Sequence, residues 1–364
     1  MKYSFIIPVY NRPDEVDELL TSLARQTCTD YEVLVVEDGS DVPCRHVVER
    51  YGDSMDVRYF TKPNSGPGQT RNFGATNARG EYLIVLDSDV VLPEGYLQAV
   101  DDELAASPCD AFGGPDRAHP SFTPVQKAIN YSMTSFFTTG GIRGGRKKLD
   151  KFYPRSFNMG VRASLWQRLD GFSSMRFGED IDFSYRIFES GATCRLFPEA
   201  WVWHKRRTDF RKFFKQVHNS GIARINLEKR HPGTMKLVHL LPAVFTTGTF
   251  LCLLFALLCL LLAVFGLVAL WLMPKPGCAN GPMLCIYAGI GGMLLFLLPL
   301  LLFSLVIFVD ASIRNRSLWV GLLAVPASFI QLIGYGTGFL RAWWLRHVCG
   351  RDEDLQAFRR SFYK

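Results

Sequence analysis

The sequence of 364 residues lacks several motifs by which common enzyme classes are recognised. It contains no P-loop and no Gly-x-Gly-x-x-Gly fingerprint, which counts against ATPases and dinucleotide-dependent dehydrogenases. Its nine cysteines include no Cys-x-x-Cys pair, so neither a zinc ribbon nor a disulfide framework is indicated. The apolar run at the N-terminus is too short for a secretory signal peptide, and we therefore expect the first domain to stay in the cytoplasm.

Long runs without charge are confined to the last third of the chain. No Asp, Glu, Lys or Arg occurs in 237–274, 276–309 or 317–340. Because a membrane-spanning helix needs about 20 apolar residues, each of these runs is long enough to cross a bilayer. We predict a globular domain followed by transmembrane segments at 240–273, 283–309 and 318–340.

The formal net charge of +7 hides an uneven distribution. Residues 1–142 contain 11 Lys and Arg against 21 Asp and Glu, which gives −10. Residues 143–236 contain 21 against 9, which gives +12, and the remaining 9 against 4 give +5. Basic residues beside a membrane segment are typical of the cytoplasmic face and attract anionic headgroups. Nucleic-acid binding is the competing interpretation of this charge, but no nucleic-acid-binding module accompanies it.

The charge pattern divides the chain into four parts. They are a cytoplasmic globular domain (1–203), a basic amphipathic juxtamembrane segment (204–236), a transmembrane region (237–345) and a basic tail (346–364). The juxtamembrane segment interleaves phenylalanines with cations, which favours a helix resting on anionic lipid, a phosphate-binding surface, or both. With three crossings the basic tail would lie opposite the domain, against the positive-inside tendency, unless the last segment is interfacial or re-entrant.

The first 110 residues alternate between β-branched runs and helical patterns, which predicts βαβ units and a mostly parallel sheet. The predicted strands are 5–9, 32–36, 57–60 and 82–86, and the predicted helices are 45–51, 69–78, 164–169 and 180–190. In such sheets, ligands bind beyond the carboxyl ends of the strands. The glycine-rich basic loop 139–148 fits a mobile lid and a solvated connection equally well.

Three acidic clusters lie where such a sheet would place a ligand. Asp87 and Asp89 follow the fourth predicted strand and suit Mg²⁺ or Mn²⁺, which prefer oxygen ligands. Asp38 lies just after the second predicted strand, where it is either a hydrogen-bond acceptor for a base or ribose or part of an ordinary turn. Glu179 and Asp180 begin a helix, where they are either partners of the helix dipole or a general base.

Taken in order, these motifs resemble the family 2 glycosyltransferases, which have the GT-A fold. The matching segments are 6–11 (Ile-Ile-Pro-Val-Tyr-Asn), 35–40 (Val-Val-Glu-Asp-Gly-Ser), 66–74, 80–82, 86–89 (Leu-Asp-Ser-Asp), 157–161, 171–172 and 178–182 (Gly-Glu-Asp-Ile-Asp). The fold class that the resemblance implies is α/β: a Rossmann-like mixed sheet of the nucleotide-diphospho-sugar transferase type, followed here by C-terminal transmembrane helices.

The resemblance also implies roles for individual residues. Asp180 would be the catalytic base of an inverting transfer. The remaining roles would be nucleotide binding for Pro8, Tyr10, Asp38, Arg71 and Asp87, divalent metal binding (Mg²⁺ or Mn²⁺) for Asp89 and His204, and contacts to the acceptor or its phosphates for Glu179, Arg206 and Arg207. Two of these stay open, since Arg71 would lie near the phosphates or structure its loop, and His204 would bind metal or phosphate or be structural.

The function implied is addition of one sugar from a UDP- or GDP-sugar to a membrane-associated, polyprenyl-diphosphate-linked saccharide in cell-surface polysaccharide synthesis. Such an enzyme would be a multi-pass protein of the bacterial inner membrane, with membrane lipids and not nucleic acid as partners. Processive synthases of the family carry Gln-x-x-Arg-Trp, whereas 216–220 reads Gln-Val-His-Asn-Ser, which favours single addition. The alternatives are a polyprenyl-phosphate glycosyltransferase and a catalytically idle membrane scaffold.

Overall fold

The computed structural model describes residues 1–140, 152–175, 177–272 and 280–351. Most of the predicted glycine-rich loop 139–148, and most of the predicted basic tail 346–364, therefore lie outside the described residues.

Ten strands and twelve α-helices make up the described parts of the chain. The strands are β1 (Tyr3–Val9), β2 (Tyr31–Asp38), β3 (Val57–Lys62), β4 (Tyr82–Leu86), β5 (Val90–Val91), β6 (Ala111–Gly113), β7 (Asp116–Arg117), β8 (Asn158–Arg162), β9 (Cys194–Leu196) and β10 (Val202–His204). The helices are α1 (Pro13–Ala24), α2 (Arg45–Val48), α3 (Pro67–Thr76), α4 (Tyr96–Ala106), α5 (Pro124–Thr134), α6 (Phe136–Thr139), α7 (Ala163–Arg168), α8 (Glu179–Glu189), α9 (Phe210–Arg230), α10 (Leu241–Leu272), α11 (Asn280–Asn315) and α12 (Leu318–His347). Two 3₁₀ turns, Glu49–Tyr51 and Leu237–His239, complete the described elements.

The main sheet has seven strands in the order β3-β2-β1-β4-β8-β6-β9. The strands β3, β2, β1 and β4 run parallel, β8 is antiparallel to both of its neighbours, and β9 is parallel to β6. This arrangement confirms the mixed α/β sheet. The chain builds outward from β1 to β3 and then returns to place β4 on the other side of β1, so β1 lies at a switch point where a crevice opens beyond the carboxyl ends.

Helices cover both faces of this sheet, because alternate strand residues point to opposite sides. Phe5 and Ile7 of β1 pack with apolar residues of α1, α2 and α4. Ile6, between them, packs on the other side with apolar residues of α7 and α8. With both faces covered, a central parallel strand can carry consecutive apolar residues, as β4 does from Leu83 to Leu86.

The predicted long elements are confirmed with small shifts of their ends, and the short ones were not predictable from the pattern. The strand 82–86 is confirmed at both ends, whereas the predicted helix 45–51 is a short α2 followed by a 3₁₀ turn. The pattern did not predict α5, although Thr123 and Gln126 form a capping box at its start. Strands of two or three residues, such as β5, β7 and β10, are too short to show alternation.

A second, three-stranded sheet lies beside the main one in the order β5-β10-β7. In it, β10 pairs antiparallel with β5, which places His204 opposite Val90. The amide of Lys205 donates to the carbonyl of Asp89 at 3.0 Å and continues this pairing. His204 is therefore part of a strand of the globular domain, and the predicted division between 203 and 204 cuts through β10.

Three described helices are long and apolar enough to cross a membrane by length and composition: α10 with its preceding turn, α11 and α12. They begin close to the predicted segments, but α11 continues to Asn315 and α12 to His347, beyond the predicted ends at 309 and 340. The charges of Asp310 and Arg341 end the apolar runs without ending the helices.

The basic helix α9 packs closely against α12 at glycine residues, which have no side chain to hold the two helices apart. A Cβ on Gly338 would lie 1.9 Å from the carbonyl oxygen of His218, and a Cβ on Gly221 would lie 2.1 Å from that of Tyr335. Small residues at such positions let two helix backbones approach closely. The predicted juxtamembrane helix is thus confirmed as a helix, and its buried face contacts protein.

This close approach makes a single methyl group at Gly338 destabilising. We expect Gly338→Ala to lower the free energy of unfolding by about 1–3 kcal/mol, since the added Cβ forces the two backbones apart. The measurement is thermal unfolding of the detergent-purified protein. Gly248→Ala in α10 is the matched control, because nothing lies within 4 Å of a Cβ there. Equal melting temperatures for the two variants would contradict the close approach.

Candidate active site

The loops that follow β1 and β2 are joined at the carboxyl edge of the main sheet. The side-chain oxygen of Asn11 accepts the backbone amides of Asp41 at 2.8 Å and Val42 at 2.9 Å. The amide of Asn11 donates to Ser40 Oγ at 2.8 Å. Asn11 has a φ of 54°, a conformation that Asn tolerates better than most residues. The two loops therefore form one edge of the crevice.

Pro8 and Tyr10 lie at the carboxyl end of β1, beside the end of β2. Pro8 is paired in register with Val36 of β2, and Tyr10 directly follows the strand. Both residues are half-buried. The structure thus places them at the crevice, and their role in nucleotide binding stays a prediction.

Both carboxylate oxygens of Asp38 are used by the loop that leads into α3. Oδ1 accepts the Lys62 ammonium at 2.8 Å and the amide of Ser65 at 2.9 Å, and Oδ2 accepts the amide of Gly66 at 2.9 Å. The residue is 3% exposed. Asp38 therefore organises its surroundings through charge-assisted hydrogen bonds, and its predicted contact with a nucleotide stays a prediction.

The guanidinium of Arg71 joins the end of β4 to the start of α8. It donates to Asp87 Oδ1 at 2.6 Å and to Glu179 Oε1 at 3.0 Å, and it lies 5.2 Å from the centre of the Phe172 ring. Only 3% of Arg71 is exposed. Three predicted site residues from distant parts of the chain thus meet here, and the contacts of Arg71 favour an organising role over a direct phosphate contact.

Glu179 is buried at this junction. Burial raises its pKa to about 7, because the Arg71 guanidinium offsets the burial only in part and the nearby charge of Asp180 opposes ionisation. Arg71 divides its single positive charge between two carboxylates, Asp87 and Glu179. Glu179 is therefore partly protonated near neutral pH.

Asp89 is buried among cations of the chain itself. Its Oδ2 lies 2.7 Å from Arg12 Nη1 and 3.7 Å from Arg207 Nη1, and its Oδ1 lies 3.3 Å from His204 Nε2. Burial alone would raise the pKa of Asp89, but the hydrogen bond and charge of His204 and the two guanidiniums hold it well below its usual range. Asp89 is therefore ionised at neutral pH.

Asp87, Asp89 and His204 form a candidate metal site among the described residues. One ligand atom from each lies within 4.8 Å of the others. The imidazole of His204 stacks on Phe157 at 5.0 Å between ring centres, and its Nδ1 is buried without a hydrogen-bond partner. Two carboxylates and one imidazole suit a divalent cation of the Mg²⁺ or Mn²⁺ type, so the residues present fit the predicted metal.

Asp180 lies in the first turn of α8, where the helix dipole favours a negative charge. Its Oδ1 accepts the amide of Ile181 at 2.9 Å, and its Oδ2 lies 3.5 Å from Arg155 Nη1. The side chain of Asp180 is 16% exposed, against 10% for that of Glu179. The predicted role of Asp180 as a base is compatible with this position and stays a prediction.

Asp182 fixes α8 to the end of α9. Its fully buried carboxylate contacts Arg186 at 3.1 Å, Arg230 at 2.8 Å and His231 at 3.0 Å. Burial would raise the pKa of Asp182, but the hydrogen bond from His231 and the two guanidiniums lower it. Asp182 therefore anchors α8 to the end of α9. This anchor lies only two residues after Asp180 in the chain.

The two arginines predicted to face the acceptor occupy different environments. Arg206 donates to Asp116 at 2.6 Å and to Asn130 at 3.0 Å, and its side chain is 9% exposed. Arg207 is 37% exposed and lies near Asp89. The structure ties Arg206 to β7 and α5, and it leaves Arg207 as the more accessible of the two.

Sequence reasoning missed Arg12 and Asp116. Arg12 follows β1 and neutralises Asp89, and its place at the carboxyl end of a strand was the signal that could have identified it. Asp116 lies 3.8 Å from His204 Nδ1, but it belongs to a two-residue strand that no sequence pattern predicts.

Removing the Asp89 carboxylate is expected to weaken Mn²⁺ binding. Mutation of a residue that only supports a metal ligand lowers metal affinity roughly tenfold or more. Loss of a ligand itself should lower the affinity at least as much. We expect this from Asp89→Asn in titrations of the purified protein with Mn²⁺ alone, followed calorimetrically. Asp53→Asn removes an exposed carboxylate from the turn before β3 and is the charge-matched control. Unchanged Mn²⁺ affinity in Asp89→Asn would show that this cluster does not hold the metal.

Parts of this chain are similar in sequence to known proteins. The family model described as Glycosyl transferase family 2 matches residues 4–169. The chain is 29% identical over 230 residues to validoxylamine A glucosyltransferase of Streptomyces hygroscopicus subsp. jinggangensis, covering 54% of either chain. It is 38% identical over 93 residues to the Staphylococcus aureus poly(ribitol-phosphate) beta-N-acetylglucosaminyltransferase TarS, covering 24% of this chain and 16% of that relative.

Among solved structures, a mannosyltransferase from Pyrobaculum calidifontis in complex with GDP-Man and Mn²⁺ superposes with a TM-score of 0.55 at 16% identity, covering 80% of this chain and 87% of that one. The likeness confirms the predicted GT-A type of fold. The chain covers about half or less of the length of the two curated relatives. Over residues 4–169, this chain is similar to glycosyl transferase family 2.

Proposed function

We propose that this chain is an inverting glycosyltransferase that moves one sugar from a nucleoside-diphosphate sugar to a membrane-associated acceptor. The observation that carries the proposal is the meeting of Asp87, Asp89 and His204 at the carboxyl end of β4, with the acidic start of α8 joined to them through Arg71. The glucosyl and N-acetylglucosaminyl transfer named for the relatives, and the GDP-Man bound by the structural neighbour, support a nucleotide-sugar donor.

Asp87, Asp89 and His204 would hold a divalent cation on the donor diphosphate. When bound, the cation offsets the negative charge that the departing nucleoside diphosphate gains. One imidazole beside two carboxylates favours Mn²⁺ over Mg²⁺, because imidazole suits transition metals better. Arg12 already lies against Asp89 and is a cation available to the diphosphate oxygens.

Asp180 would act as the general base. It would accept the proton of the acceptor hydroxyl while that oxygen bonds to the anomeric carbon and the bond from this carbon to the phosphate oxygen breaks. Glu179 is a poorer candidate, because its carboxyl group is buried against Arg71 and holds a proton near neutral pH. Asp180, whose side chain is the more exposed of the two, is therefore the better candidate.

Replacing Asp180 by Asn should separate catalysis from donor binding. We expect the turnover of Asp180→Asn to fall by about 10²–10⁴-fold, because general base catalysis contributes that much, with nucleotide-sugar affinity unchanged. Transfer of radiolabelled sugar to membrane lipid extract measures turnover, and equilibrium binding of the nucleotide measures affinity.

Glu199→Gln is the control for this prediction, because it removes an exposed carboxylate outside the crevice. Normal transfer by Asp180→Asn would refute the assignment of the base. The same assay identifies the product class: growth of a lipid-linked oligosaccharide supports our proposal, whereas a base-labile lipid monophosphosugar would indicate a polyprenyl phosphate as acceptor.

We propose that Arg207 contacts a phosphate of the acceptor. It is half-exposed, it borders Asp89, and it lies three residues before the start of α9. We expect Arg207→Ala to reduce kcat/KM for a polyprenyl-diphosphate-linked acceptor while donor binding stays near the wild-type value, because a phosphate contact is lost. Arg211→Ala, an exposed cation in the first turn of α9, is the control. Equal losses of donor and acceptor binding would assign Arg207 to the donor.

A further inference from the structure

The last apolar helix, α12, packs against helices of the globular domain over most of its length. Its first half contacts α5, where Val320, Ala324 and Ala327 form one buried cluster with Ala128 and Tyr131. Tyr131 also donates to Asp310 near the end of α11 at 2.7 Å, so the start of α12 lies at the level of the domain.

The second half of α12 runs alongside α9 in the same direction. A Cβ on Gly334 would meet Val217, and one on Gly338 would meet the His218 carbonyl. Near the ends of both helices, Arg346 donates to the carbonyl of Ile225. Contacts thus advance along both helices together from residue 334 to residue 346.

The composition of α9 excludes it from the hydrocarbon core. Arg211, Lys212 and Lys215 are exposed on one side of the helix. The residues of α9 are on average polar. Charged side chains inside a bilayer are costly and rarely face lipid. Because α9 lies beside residues 334–346 of α12, that part of α12 also lies outside the hydrocarbon core.

The remainder of α12 is too short to span the bilayer. Residues 318–333 would extend about 24 Å as a helix, and a hydrocarbon core is about 30 Å thick. This part is also occupied by its contacts with α5. The apolar length of α12 therefore reflects burial against protein on one side.

By contrast, α10 and α11 form an antiparallel hairpin. A Cβ on Gly266 would meet Pro282, a Cβ on Gly289 would meet Ala263, and nearer the domain Phe245 packs with Phe303. The side chains of both helices away from the domain are apolar and mostly exposed, as in a segment surrounded by lipid.

The close contacts of α12 with this hairpin fall at its base. A Cβ on Gly336 would meet Pro242 and Thr246 at the start of α10, and Phe329 packs on Phe303 in the second half of α11. A third helix of a bundle would follow the hairpin along its length. Contacts grouped at the base are those of a helix that crosses it at a steep angle.

The face of α12 that the protein leaves uncovered suits the membrane surface. Trp319, Trp343 and Trp344 are all exposed. Arg341, which is close to the last two in the chain, is exposed as well. Tryptophan is enriched at membrane–water interfaces, and cations there attract anionic headgroups.

We propose that α12 lies along the membrane interface, that only α10 and α11 cross the bilayer, and that the chain after α12 therefore shares the compartment of the globular domain. This topology places the basic residues at 341, 346 and 351 on the same side as the basic segment before α10. It removes the conflict with the positive-inside tendency that three crossings create.

Cysteine accessibility in the full-length chain tests the proposal. Cys349 is exposed directly after α12 and serves as the reporter, with the other eight cysteines replaced by serine or alanine. In the same background lacking Cys349, Asp53→Cys reports the side of the domain and Asn280→Cys reports the tip of the hairpin; both positions are exposed. A membrane-impermeant maleimide is applied to inverted and to right-side-out vesicles.

We expect Cys349 to be labelled in the same vesicles as Asp53→Cys, with labelling lost in the opposite orientation, where Asn280→Cys is labelled. Labelling of Cys349 together with Asn280→Cys would overturn the proposal and establish three crossings. If the cysteine-depleted chain fails to insert, fusions of the natural full-length chain at its C-terminus decide the matter. A C-terminal reporter pattern that matches that of the same reporters fused at the N-terminus supports two crossings, and opposite patterns at the two ends overturn them.

Discussion

The architecture of the site depends on one buried cation. Arg71 on α3 bonds to Asp87 after β4 and to Glu179 at the start of α8, so a single planar group fixes three elements that are far apart in sequence. Without a guanidinium there, the buried Glu179 and the partly exposed Asp87 would lose the counter-charge that they share. The position of Asp180, next to Glu179 in the chain, follows from that bond.

Much of this arrangement could be predicted from the sequence, because the relevant segments are long and apolar. A run such as 82–86 indicates a strand, and any residue that follows it lies at the ligand-binding edge. The pattern of the residues predicts only part of the candidate metal cluster, and His204 was assigned to it through the family resemblance. Asp87 and Asp89 follow a readable strand, but His204 reaches them through the pairing of β10 with β5, and strands of two or three residues leave no periodicity.

For the predicted membrane segments, the helices could be predicted from the sequence, but the medium that surrounds them could not. Apolar composition identifies a helix that avoids water, but it does not distinguish lipid from protein as the surrounding medium. In α10 and α11 the apolar side chains are mostly exposed, whereas α12 buries a larger share of its length against α5 and α9. The glycines of α12 were a sequence signal for close helix packing, but they do not name the helix that packs there.

The pairing of Arg12 with Asp89 means that the candidate metal site carries its own counterion. A buried carboxylate that relied on an added cation would destabilise the fold whenever that cation was scarce. Here the chain neutralises Asp89 itself, so the domain can fold in full before it meets a metal. A divalent ion held by Asp89 would therefore compete with Arg12 for a carboxylate whose charge the chain already balances.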